Sequence, residues 1–182
     1  MFNFLRIKNI RKYLTKEATE ILVLSLVISH LDYCNGILFG VPKCDIKKMQ
    51  RIQNMCAKLV LKLRKYDSSK QALYQLHWLP IRARIEFKIL TVMYNCSKGH
   101  APAYLTELLI EKVPRRRLRS SDVTGCYEVP YNKQKTFGDR SFKTVGPQLW
   151  NTLPVDLRNL DSVETFKKHL KTLFFRKCYS WF

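Results

Sequence analysis

The chain has 182 residues, 46% of them hydrophobic, and it carries 33 Lys and Arg against 14 Asp and Glu, a net charge of +19 at pH 7. This length suits one domain, or one domain with a tail, that buries roughly 70% of its unfolded surface, and the composition excludes wholesale disorder. Such a charge imbalance influences which partners a protein binds more than which fold it adopts. It favours polyanions as partners, nucleic acid first and an anionic membrane surface second.

Apolar residues recur at intervals of three and four along most of the chain, which is the period of helices with one buried face. The predicted helices cover about residues 16–30, 44–63, 70–76, 81–98, 103–112 and 163–177. Thr15, Pro80 and Ser162 are suited to the starts of three of them. In the stretch LHWLP, Trp78 and Leu79 are predicted to fill the core while Pro80 sets the entry of the next helix.

Three regions follow from these elements. Residues 1–112 form a helical region, and 113–146 form a basic, turn-rich, irregular segment that allows a short β-hairpin near 115–146. Residues 147–182 form a C-terminal helical region that packs back on the core. The predicted fold class is therefore mainly α, a small helical bundle.

The six cysteines are widely spaced and include no C-x-x-C pair, so they indicate neither a zinc site nor a redox motif. Cys56 and Cys96 fall on apolar helix faces, where cysteine behaves as a small hydrophobe. We predict reduced thiols in an intracellular protein, cytoplasmic or nuclear, with disulfides as the alternative. The most apolar run, Ile21 to Ile28, is far shorter than the roughly 20 residues that span a bilayer, so no membrane segment is predicted.

Cations are clustered where they could meet phosphates. Four arginines follow Pro114 outside any predicted helix, and guanidinium groups there can clamp phosphates with paired donors. Nearby Tyr127, Tyr131 and Phe137 are of the kind that stacks on unpaired bases, while a solvated loop and a nuclear-localisation patch are the alternatives. With cations on the outer faces of the helices, the predicted nucleic-acid-binding set is Arg115, Arg116, Arg117, Arg119, Lys47, Lys48, Arg51, Arg82, Arg84 and Lys88.

No catalytic motif is present in the sequence. The four histidines lie far apart, and Cys96 and His100 share a helical spacing but lack further metal ligands. Two-metal phosphoryl transfer needs clustered carboxylates, and those of this chain are scattered. We therefore predict no catalytic residue, no metal and no cofactor.

Several strings in order along nearly the whole chain resemble one family: IRKYLT, LVLSLVISHLDYCNGILFGVP, IKKMQRIQNMCAKLV, LHWLPIRARIEFKIL, FGDRSFKTVGPQLWNTLP and ETFKKHLKTLFF. They are similar to the C-terminal region of reverse transcriptases from non-LTR (LINE-type) retrotransposons, the Jockey-like and chicken-repeat-like group. The resemblance implies a thumb and the tail beyond it, which grip RNA or an RNA–DNA duplex. The resemblance also implies that residues 1–112 are the thumb-like region.

The same resemblance implies what the chain lacks. The polymerase aspartates and the endonuclease of the family lie in upstream domains, so the chain is expected to be a fragment that is not an enzyme by itself. A second expected partner is the missing palm domain, and the oligomeric state stays open. The alternatives are a protein-interaction module and a nonfunctional translated remnant. The module is suggested by large apolar residues at the two ends of the chain, namely Phe2, Phe4, Leu5, Tyr179, Trp181 and Phe182.

Overall fold

The structure is a computed structural model that describes residues 2–112, 125–132 and 137–180. The predicted mainly α fold is confirmed, since helices joined by turns dominate these residues and no strand occurs among them. The α-helices are α1 (Phe2–Ile10), α2 (Lys16–Val23), α3 (Ser29–Asp32), α4 (Lys43–Val60), α5 (Ser69–Gln75), α6 (Ile81–Ser97), α7 (Ala103–Thr106), α8 (Phe142–Trp150), α9 (Val155–Arg158) and α10 (Val163–Tyr179). A π-helical turn, Leu24–Ile28, joins α2 to α3.

The helix predicted over 103–112 is shorter than expected. Helix α7 ends at Thr106 because the backbone of residues 110–112 pairs with another segment instead of continuing the helix. The amide of Glu128 donates to the carbonyl of Ile110 at 2.8 Å, and Glu111 forms an isolated antiparallel bridge with Tyr127.

The predicted irregular segment also ends earlier than expected. Helix α8 begins at Phe142 rather than after residue 146, with Gly146 and Pro147 inside it. Gly146 is buried, and a Cβ there would lie 2.5 Å from the sulfur of Met93, so a larger residue at this position would displace the Met93 side chain. The hairpin near 115–146 is not formed by the described residues of that range, and positions 115–124 and 133–136 lie outside the description.

The chain forms two compact units, one of residues 2–85 with 174–180 and one of the described part of 86–173. Helices α6 and α10 contribute residues to both. The boundaries of these two units differ from those of the three regions predicted from the sequence. The division into three regions stays a prediction.

The first unit has a core contributed by α1, α2, the π-helical turn, α4, α5 and the end of α10. Its buried apolar residues include Phe4, Ile7, Val23, Val27, Ile28, Cys56, Ala57, Val60, Ala72, Leu73, Leu76, Trp78 and Tyr179. Trp78 is buried as predicted, its indole nitrogen donates to Glu20 at 3.3 Å, and its carbonyl accepts from the hydroxyl of Tyr179 at 2.7 Å. Burial raises the pKa of Tyr179.

The second unit is built around stacked aromatic rings. Tyr94 of α6 stacks on Phe166 of α10 with 4.4 Å between ring centroids, and its hydroxyl donates to the carbonyl of Leu160 at 2.7 Å. The Trp150 indole donates to the carbonyl of Gly125 at 2.9 Å, and Asn151 exchanges hydrogen bonds with the backbone of Tyr127. The LWNTLP string therefore holds the segment 125–127 in place.

Arg11 is a buried cation at the end of α4. It is 8% exposed, and its guanidinium donates 2.8 Å hydrogen bonds to the carbonyls of Leu59, Val60 and Leu14. The last carbonyls of a helix lack partners within the helix and form the negative end of its dipole. Arg11 therefore closes the C-terminus of α4 from a distant part of the chain.

We expect Arg11→Met to lower the free energy of unfolding by about 3 kcal/mol, because the apolar stem is kept while buried carbonyls lose a charged donor. The exposed Lys8, also near the end of α1, provides a control with the same loss of charge, Lys8→Ala. Urea unfolding of the two variants checks this. Equal midpoints for both would contradict the assigned role of Arg11.

Candidate nucleic-acid interface

The structure places six of the ten predicted binding residues on two helices. Lys47, Lys48 and Arg51 lie on α4, while Arg82, Arg84 and Lys88 lie on α6. Lys88 belongs to the second unit and the other five to the first. The remaining four, Arg115, Arg116, Arg117 and Arg119, lie outside the described residues.

Two glutamines on α4, the half-buried Gln50 and the buried Gln53, hold the start of α6. Gln53 is fully buried, and its side-chain nitrogen donates to the carbonyl of Leu79 at 2.9 Å. Its oxygen accepts from Gln50 at 2.9 Å, and the oxygen of Gln50 accepts from the amide of Ile81 at 2.9 Å. The first amides of a helix have no partner within the helix, so Gln50 supplies one. These bonds fix the position of Arg82 relative to α4.

Beside this junction lies an apolar hollow of about 360 Å³ with cations among its lining residues. Its walls come from the turn before α4, from the first turns of α4 and from the first turns of α6. The lining residues are Leu38, Phe39, Gly40, Val41, Lys43, Ile46, Lys47, Arg82 and Ile85. Lys43, Lys47 and Arg82 are exposed, while Phe39, Val41 and Ile46 are half-buried. Two of the predicted binding residues, Lys47 and Arg82, are thus brought to one place.

Two other predicted residues are engaged by carboxylates. Arg84 is half-buried: its Nε donates to Asp32 Oδ1 at 2.8 Å, and its Nη2 pairs with the other oxygen of that carboxylate. Lys48 Nζ lies 3.0 Å from Asp45 Oδ1, and this hydrogen bond raises the pKa of Lys48. Both cations are locally compensated, which weakens their attraction for a phosphate. Their part in binding stays a prediction.

Arg51 and Lys88 are exposed on their helices. Neither lines the hollow. The predicted basic outer face of α6 is therefore divided among an exposed Arg82, a carboxylate-bound Arg84 and an exposed Lys88.

The aromatic residues proposed to stack on bases differ in their exposure. Tyr127 is 6% exposed, packs edge-on against Trp150 with 6.5 Å between centroids, and has a pKa raised to about 12 by burial. It belongs to a core, so the expectation that it stacks on a base is wrong. Tyr131 and Phe137 are 92% and 80% exposed and stay available for contacts.

Sequence reasoning missed the apolar wall of the hollow and Lys43. The stretch NGILFGVP lies between the helices predicted over residues 16–30 and 44–63. The apolar wall could have been predicted from the run Ile37 to Val41, which is too apolar for an ordinary solvated turn and immediately precedes a cation-rich helix start. Glycine at residue 40 has φ of 74°, a conformation that favours glycine and turns the wall back toward α4.

The described residues offer little for metal or thiol chemistry. Within residues 2–112, 125–132 and 137–180, no three His, Cys, Asp or Glu side chains are grouped to hold a metal ion. None of the six cysteines forms a disulfide. Burial raises the pKa of Cys56 to about 12 and also raises the pKa of Cys96. No helix in this part of the chain has the length and apolar character needed to cross a membrane.

Comparison of the chain with models of protein families, with curated proteins and with solved structures finds no match.

The glutamine pair provides a direct test of how the hollow is assembled. We expect Gln53→Leu to lower the free energy of unfolding by about 2 kcal/mol, because the carbonyl of Leu79 and the amide of Gln50 lose their buried partner. Gln71→Leu on α5, at an exposed position, is the matched control. Chemical denaturation measures both, and a Gln53→Leu variant as stable as the wild-type chain would show that the buried amide is dispensable.

Proposed function

We propose that the chain binds nucleic acid, RNA or an RNA–DNA duplex, inside the cell and has no polymerase activity of its own. In this proposal it corresponds to the thumb and tail of a non-LTR reverse transcriptase without the catalytic palm and the endonuclease. The observation that carries the binding proposal is the meeting of Lys43, Lys47 and Arg82 at one hollow, in a chain of net charge +19. The proposed parent enzyme, a non-LTR reverse transcriptase, rests on the resemblance of the sequence strings to that family.

Three features support a phosphate-binding role for this surface. Lys43 and Lys47 are one helical turn apart on α4, so their Cβ atoms are spaced by about 5–6 Å. Both lie at the N-terminal end of α4, where the helix dipole adds partial positive charge. Asp45 is on the same turn, but it accepts from Lys48 and does not line the hollow.

The second candidate function, docking on a palm domain, rests on exposed apolar residues near the N-terminus. Phe2 and Leu5 are 64% and 50% exposed. Two of the aromatic residues that suggested a severed interface, Phe4 and Tyr179, are instead 7% and 4% exposed in the core of the first unit. This weakens the docking hypothesis without touching the binding proposal, and Trp181 and Phe182 lie outside the described residues.

Binding of the purified chain to single-stranded RNA and to an RNA–DNA duplex across a salt series tests the proposal. We expect affinity to fall steeply with salt, because contacts between cations and phosphates release counterions. The variant Lys43→Ala/Lys47→Ala/Arg82→Ala is expected to bind at least tenfold more weakly than the wild-type chain and to have a shallower salt slope. A second variant replaces Arg115, Arg116, Arg117 and Arg119 by alanine and tests the cluster outside the described residues.

The matched control removes the same charge elsewhere. Lys167, Lys168 and Lys171 are exposed on α10, and their replacement by alanine also lowers the net charge by three. If the two triple variants lose affinity equally, binding reflects net charge alone and no particular surface. Absence of binding by the wild-type chain at low salt would refute the proposed function, and metal-dependent nucleotide incorporation would refute the statement that the chain lacks polymerase activity.

A further inference from the structure

The hollow combines two properties that a phosphate-binding surface does not need together. Cations on an open surface suffice to hold a phosphate backbone. Here the same residues surround a recess walled by Leu38, Phe39, Val41, Ile46 and Ile85. An apolar recess bounded by cations fits an occupant with an apolar face and negative charge beside it.

The size and the cation pattern select among such occupants. A recess of about 360 Å³ lies at the small end of ligand pockets, suited to one ring system and its sugar. The cations come from two helices, with Lys43 and Lys47 on α4 and Arg82 on α6. This arrangement matches several charges along a chain better than the single carboxylate of a fatty acid. A paired base cannot enter, because its face is covered by its neighbours in the duplex.

We propose that the hollow takes up one unpaired base of single-stranded nucleic acid, while Lys43, Lys47 and Arg82 hold the flanking phosphates. The half-buried ring of Phe39 and the aliphatic walls contact the base, as aromatic and apolar side chains do in proteins that bind single strands. This inference rests on the proposed function, because it names the part of the ligand that the same surface recognises.

The test separates the base from the phosphates. The purified chain is titrated with a twelve-nucleotide uridine strand and with the same strand lacking every base, both at low salt. Stacking of one base contributes about 1–3 kcal/mol, so we expect the complete strand to bind roughly 5- to 150-fold more tightly than the abasic strand.

Variants that fill the hollow without changing its charge test whether the preference for the complete strand over the abasic strand arises at the hollow. Val41→Trp and Ile46→Trp each place a large ring in the recess. Each is expected to lower the ratio of the affinities for the complete and the abasic strand to about one, while the affinity for the abasic strand is kept. Val129→Trp in the second unit, at a position 48% exposed, is the control and is expected to keep the preference. Two filling variants are used so that misfolding of one, detected by its thermal melting, leaves the other to decide.

Each outcome has a definite meaning. Equal wild-type affinity for the two strands, or a preference that survives in the folded filling variants, would overturn the base-uptake proposal and leave phosphate binding intact. Failure of the wild-type chain to bind either strand would overturn the base-uptake proposal, and the proposed function falls with it only if the chain also fails to bind an RNA–DNA duplex at low salt. Loss of binding to anionic lipid vesicles in the filling variants, with base preference unchanged, would assign the hollow to lipid and refute the inference.

Discussion

The buried amide of Gln53 is the interaction on which the candidate interface depends. A fully buried carboxamide must satisfy both its oxygen and its nitrogen, and Gln53 does so with Gln50 and with the carbonyl of Leu79. Gln50 in turn accepts from the amide of Ile81, at the first residue of α6. Because a polar network that is only partly satisfied is costly in a low-dielectric core, this set of bonds favours one register between α4 and the start of α6. In that register Lys47 and Arg82 line the same hollow.

Net charge overstates the number of cations available to a ligand. Arg11 serves the carbonyls that end α4, and Arg84 is bound by Asp32. Lys58 donates to the carbonyl of Lys65 at 2.7 Å. In each case a nearby carbonyl or carboxylate decides the role of the cation, since a hydrogen bond to an ionised group is stronger than one between neutral groups. The hollow is distinguished by cations that border apolar walls.

Helical period and capping were readable from the sequence. Thr15 accepts from the amide of Ala18 at 3.2 Å at the start of α2, as its position predicts, and α4, α5 and α6 begin within about one residue of their expected starts. Local patterns suffice there because each helix buries one apolar stripe. The predicted cations on α4 and α6 were placed on these helices for the same reason.

The features that failed prediction depend on distant residues. Gln53 looks like a surface glutamine, and only the approach of Leu79, 26 residues away, makes it a core residue. Tyr127 was assigned to a basic loop, but Trp150 and Asn151 hold its backbone and ring in a core. The hollow requires a turn and two helices to meet, and periodicity within one segment carries no information about such a meeting.

Hydrogen–deuterium exchange of the chain with and without single-stranded RNA tests the central claim most directly, that nucleic acid binds where α4 meets the start of α6. We predict slower amide exchange on binding in residues 37–47 and 81–85, because the turn before α4 and the first turn of α6 line the hollow. Unchanged exchange in both stretches, with protection confined to α10 or to other basic surfaces, would contradict the account.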